Sequence, residues 1–210
     1  MMKRKHLIWL VTLAAVAGCA GSKYTIVPPA VDLTGYETVG LVTFKVENAK
    51  GDLGSLATQL FLQEVTAAQR VPVVELGPAG EVLSGIGKAS FNREAALAIG
   101  EKHGVEAFFL GEIKISKVKP QVDLLAPLSK ALFVRAKFDI AVTARLVSAA
   151  NGATLWTQSS VREGTVGALG MGADGVPTFG MQDKNEAMNN LLREMMFQMT
   201  WEFRPSRRRL

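Results

Sequence analysis

Two long alternating runs that meet at Asn151-Gly152 constrain this chain more than any other feature. Phe133 to Ala149 alternates in character, and Ala153 to Glu163 (ATLWTQSSVRE) returns from it. Asn-Gly between two such runs suits a two-residue hairpin turn, because both residues tolerate positive φ. The pair is amphipathic, so helices have to cover it, and the chain belongs to an α/β class with a mixed sheet.

The remaining elements follow from period and caps. Glu37 to Val46 (ETVGLVTFKV) is rich in β-branched residues and reads as a first strand. Asp52 or Ser55 starts a helix to about Gln69, with Leu53, Leu56, Ala57, Leu60 and Phe61 on one face. Val71 to Val74 reads as a short strand that Pro72 demotes to an edge or a strand start. A helical turn near Pro78–Leu83 follows, then a helix from an Asn92 cap to His103, with Gly104 as its C′ residue. Val105 to Ile115 (VEAFFLGEIKI) is a strong strand. A last helix is predicted after Asp183, with Glu186 at its third position as in a capping box. The predicted order is β-α-β-α-α-β-β-β-α with a long β-hairpin.

The start of the chain carries a different kind of signal. Lys3, Arg4 and Lys5 precede an apolar run of 11 residues, Leu7 to Ala17. A bilayer-spanning helix needs about 20 residues, so this run fits an export signal. It ends in Val16-Ala17-Gly18-Cys19, which resembles the lipobox of bacterial lipoproteins: an aliphatic residue, two small residues and a cysteine. Small residues let extended backbone enter a narrow peptidase cleft, and the thiol accepts a diacylglyceryl group. The lipobox implies cleavage before Cys19 and fatty acylation (palmitate or its like) of the sulfur and the new amine. More than one acyl chain makes anchoring stable. Ala20 follows; by resemblance to enterobacterial lipoprotein sorting, a residue other than Asp there implies the outer membrane, with the protein facing the periplasm. The expected division is 1–18 signal peptide, 19–35 tether stiffened by Pro28-Pro29, 36–203 α/β domain and 204–210 basic tail.

Charge excludes one function class. Of the 24 lysines and arginines, three sit in the first five residues and four in the last seven, which leaves 17 against 19 carboxylates on residues 19–203. A nucleic-acid protein carries its basic footprint on the folded body, and this body is slightly acidic. The tail of Arg204, Arg207, Arg208 and Arg209 reads as solvated, the alternative being contact with anionic headgroups or a partner.

Motifs with chemical meaning are sparse. Gly170 to Gly175 matches G-x-G-x-x-G, but Val176 and Pro177 follow where dinucleotide binding needs a helix. Gly85 to Ser90 resembles a phosphate loop, but Ala89 stands where a hydroxyl must meet Mg²⁺. His103 is the one histidine left after leader removal, and it has no evident ligand partner. Met188, Leu191, Leu192, Met195, Met196 and Met199 form a stripe at helical spacing, which reads as core rather than a copper(I) site. No catalytic residue, cofactor or metal is expected, and the chain reads as a non-enzyme.

The order of these segments resembles the curli-secretion lipoprotein family and its relatives, the penicillin-binding-protein activator lipoproteins. The residues that carry the resemblance are the lipobox, ETVGLVTFKV, a helix ending in QRVPVVE, GEKHGVEAFFLGEIKI and ARLVSAANGATLWTQ, spanning roughly 36–202. It implies a periplasmic domain on a lipid anchor that works by protein–protein contact with envelope partners or with copies of itself. The activator branch has a long tether, whereas this one is short. The curli-secretion branch implies two membrane hairpins, here near 116–138 and 160–182, the second turning at Asp174-Gly175. Polar Lys117, Lys119, Gln121 and Asp123 do alternate with apolar neighbours, as a barrel wall requires. Pro120 and Pro177 interrupt these strands, so an envelope-assembly module is the favoured reading and an oligomeric secretion channel the alternative.

Overall fold

The computed structural model describes residues 24–116, 119–121, 135–167, 170–171, 177–179 and 186–209. In chain order the elements are β1 (Tyr24–Val27), β2 (Val39–Thr43), β3 (Lys45–Glu47), β4 (Lys50–Gly51), α1 (Leu53–Ala68), β5 (Val73–Pro78), α2 (Ala79–Gly85) and α3 (Arg93–His103). There follow β6 (Ala107–Ile115), β7 (Lys119–Gln121), β8 (Arg135–Ser148), β9 (Thr154–Gly167), β10 (Gly170–Met171), β11 (Pro177–Phe179), α4 (Glu186–Met199), a 3-10 turn (Trp201–Phe203) and β12 (Ser206–Arg209). The chain forms two compact units: a body, Ala30–Arg204, and a small unit made of the segments that flank it.

The body is built on a mixed seven-stranded sheet. β2 runs parallel to β5 and β6, and β3 continues β2 along β6. β8 lies antiparallel to β6, β7 and β9. Period-two alternation on β6 separates two cores. Ala107, Phe109, Ile113 and Ile115 join Phe61 and Val65 of α1 and Met188, Leu192, Met195, Met196 and Met199 of α4. Phe108 and Leu110 join Val82 of α2 and Ala96 and Ile99 of α3. Helices therefore cover the sheet from both sides. In the larger core, ring centroids run Phe44–Phe61 5.4 Å, Phe61–Phe109 5.1 Å and Phe109–Phe203 5.8 Å. Burying each such side chain contributes about 1.5–3 kcal/mol.

Local signals place most boundaries. Asn92 Oδ1 accepts from the Ala95 amide at 2.9 Å, and Gly104 takes φ 65° at the end of α3. Asp52 holds the N-cap position of α1 without a side-chain cap bond. β5 starts directly after Pro72 and pairs only with β2 among the described residues, an edge strand as the proline predicts. The predicted Asp183 cap lies outside the described residues.

Three expectations need correction. The first strand is not continuous: it breaks at Phe44, whose amide donates to Thr58 Oγ1 of α1 at 2.9 Å. The hairpin is present, but its turn is not the two-residue type. Ala149 to Gly152 form a longer loop in which Gly152 alone takes positive φ, 73°, and the Ser148 amide donates to the Ala153 carbonyl. The reason is tertiary: Ala149 is drawn into the smaller core, its amide donating to the Glu106 carbonyl at 2.9 Å. The strands compensate with a register shift between Leu146 and Val147. Finally, the basic tail is exposed at Arg207–Arg209 but not at Arg204, which pairs with Glu64. Arg204 belongs to the body, and Arg207–Arg209 lie in β12, which pairs antiparallel with β1.

Candidate functional site

Cys19 and the lipobox residues Val16, Ala17 and Gly18 lie outside the described residues, as do the turn at Asp174-Gly175 and most of the span between β7 and β8. Of the second expected hairpin, the backbone of β10 and β11 is described. Gly170 stands opposite Thr178, and β11 runs parallel to β4. The phosphate-loop look-alike falls on the end of α2 and the bend after it, where no helix starts. His103 sits in the last turn of α3 with Nε2 buried and without a hydrogen-bond partner. The methionine stripe is core, with Met195 and Met196 fully buried.

What the fold does assemble is a surface. Helices α2 and α3 cover one sheet face over Val42, Phe108, Leu110 and Val147. Beyond them no described helix covers the face, and Glu112, Lys114, Thr143, Ser159 and Val161 are exposed. Register aligns Lys45, Glu112, Thr143 and Ser159 in one row across β3, β6, β8 and β9, and Glu47, Lys114, Ala141 and Val161 in the next. Directly paired residues share a face, so both rows look outward. Val161 is 61% exposed. Where covered and bare parts meet, Phe91, Ala79, Leu110, Arg145 and Thr157 line a cleft of about 340 Å³.

Charges on this face are paired with one another. Lys45 Nζ lies 2.7 Å from Glu47 Oε1, and Lys137 Nζ 2.8 Å from Glu163 Oε1. The lysine hydrogen bonds hold Glu47 and Glu163 below the usual carboxylate range, and the same contacts raise Lys45 and Lys137. Such exposed pairs contribute little to stability and are screened by salt. They set a pattern of alternating sign on a flat surface.

The outer edge of that surface is β9. Among the described residues its 14 positions pair with no strand other than β8; side chains of the strand itself meet some of its backbone, Gln158 Oε1 accepting from the Ser159 amide and Arg162 Nη1 donating to the Val161 carbonyl. Gly164 lies opposite Phe138, and a Cβ at Gly164 would stand 2.5 Å from the Phe138 ring. The strand is thus kept close against its neighbour at this position.

A second feature ties the two ends of the body together. Gln69, at the end of α1, is 6% exposed. Its Oε1 accepts from the Leu33 amide at 2.6 Å, and its Nε2 donates to the carbonyls of Val31 and Phe203. The incoming and outgoing chain are therefore clamped side by side. Next to the clamp Trp156 Nε1 donates to Glu202 Oε2 at 2.8 Å, and Arg204 pairs with Glu64 and lies 4.4 Å over the Phe197 ring. Sequence reasoning missed Gln69 because its partners are 36 and 134 residues away.

No helix among the described residues is long and apolar enough to cross a membrane. No protein-family model matches the sequence, and comparison with curated proteins gives no match. The fold is nonetheless similar to solved ones. A subunit of the PelC dodecamer from Paraburkholderia phytofirmans overlaps 87% of this chain and 98% of its own, with TM-score 0.51 and 14% identity. Weaker overlaps are found with the LpoB C-terminal domain from Salmonella enterica (71% of this chain, 91% of that one, TM-score 0.38, 10% identity). Lipoprotein GNA1162 from Neisseria meningitidis gives 78%, 97%, TM-score 0.40 and 14% identity. At such identity the likeness to the PelC subunit is one of fold.

Proposed function

We propose that this chain is a lipid-anchored envelope protein, facing the periplasm from the outer membrane, which acts by protein–protein contact in an assembly or secretion machine and has no catalytic role. The observation that carries the contact half is the open outer edge of β9, next to a bare sheet face of alternating charge. A free edge of this length invites pairing with another chain, which proteins normally prevent unless they use it. The sheet's opposite edge, β5, is open as well among the described residues. Two different open edges suit head-to-tail contact between copies, and such contacts close into rings when the rotation allows. A fold shared with the subunit of a dodecamer supports this reading. The lipobox at Val16–Cys19 supports the anchor.

The test is the native mass of the detergent-extracted particle. A closed multiple of the chain mass is expected, and a monomer at all concentrations overturns the self-assembly reading. In parallel, Cys19→Ala is expected to leave the salt-washed membrane pellet; retention there overturns the anchor. Ion conduction by the particle in planar bilayers would replace the module by a curli-type channel.

A further inference from the structure

We infer that the β1/β12 ribbon is a second membrane contact, which binds the phosphates of anionic phospholipid headgroups beside the acyl anchor. Its position beside the anchor rests on the lipoprotein reading above; its lipid binding does not.

The pairing of the ribbon sets Tyr24 opposite Arg209 and Ile26 opposite Arg207. Opposite residues of an antiparallel pair share a face. One face therefore carries an aromatic, an aliphatic and two guanidinium groups, and the other carries Arg208 with Thr25 and Val27. All three arginines are exposed, Tyr24 is 60% exposed and Ile26 72%. Neither Ala20–Val31 nor Arg204–Leu210 contains an Asp or a Glu, so no acidic side chain within these segments offsets the charge.

In water this arrangement is unfavourable. A lone two-stranded ribbon is marginal, its like charges repel, and its apolar side chains stay wet. At a headgroup layer each of these costs is relieved. Arginine forks match phosphate oxygens two at a time, and Tyr and Ile enter the interfacial zone that amphipathic groups prefer. Chain length then fixes the depth. Only four residues separate Cys19 from Tyr24, and the five backbone steps between them reach at most about 18 Å. With Cys19 acylated, the ribbon stays within reach of the headgroups.

The experiment uses the chain from residue 19 onward carrying Cys19→Ala, so that no acyl chain contributes. It is floated with phosphatidylcholine vesicles, with and without phosphatidylglycerol. Binding is expected only with phosphatidylglycerol and is expected to weaken as salt rises. Each arginine near an anionic surface strengthens binding about fivefold, so R207Q/R208Q/R209Q should lower partitioning about a hundredfold. The same three positions changed to Lys should keep most of it. Unchanged unfolding by the fluorescence of Trp156 and Trp201 checks that the body is intact in each variant. Equal binding to both vesicle types, or a Gln variant that binds like its parent, overturns the inference. So does capture by polyglutamate beads without vesicle binding, which assigns the ribbon to an acidic protein. Because acylation plays no part here, an unmodified Cys19 in the native protein would sink the anchor reading and leave this result standing.

Discussion

Gln69 shows how much one buried amide can organise. Three backbone groups, the Leu33 N–H and the carbonyls of Val31 and Phe203, find their partner in it. Truncation to Ala leaves these groups without that partner in a place water reaches poorly. Each unsatisfied buried group costs roughly 1–3 kcal/mol, partly recovered by relaxation. Gln69→Ala is therefore expected to lower stability by about 2–4 kcal/mol in urea unfolding, far more than a surface amide change. Asn92 makes the contrast. Its cap bond reaches three residues, to Ala95, and is legible from the sequence alone.

At the scale of elements, α4 reports on what methionine does here. Met195 lies fully buried against the larger core. Thioethers fill irregular gaps, and Leu of similar volume is tolerated where Ala leaves a cavity. Met195→Ala is expected to cost about 2–5 kcal/mol and Met195→Leu less than about 1.5 kcal/mol. A Leu variant as damaged as the Ala variant would mean that the sulfur matters for more than packing. The hairpin of β8 and β9 carries a related lesson. Asn151-Gly152 announced the reversal correctly, but the packing of Ala149 under α3 chose a longer loop and a register shift. Turn chemistry proposes a connection, and the core to which the strands belong decides its length.

For the whole molecule, the division into a body and a small flanking unit makes a separable prediction. Removal of residues 205–210 deletes β12 but none of the core side chains that end at Phe203. The body's unfolding free energy is expected to change by no more than about 0.5 kcal/mol, while the deletion abolishes the lipid binding inferred for the ribbon. A body that unfolds much more easily without these residues would mean that the two units are one.

The sequence by itself determined the elements and their order: the helix faces, the Asn92 and Gly104 boundaries of α3, the edge character after Pro72, the hairpin and the buried methionine stripe. These depend on residues within a turn or two of one another, so period and cap chemistry suffice. It also supplied the lipobox pattern, a string that a peptidase would read in extended form. The tertiary structure alone decided which strands lie at the sheet edges among the described residues, that Gln69 joins chain segments far apart in sequence, and that Arg207–Arg209 pair with Tyr24–Ile26. Each of these is a matter of register between distant segments. Burial of the whole core settles that register, and no local window of residues contains it.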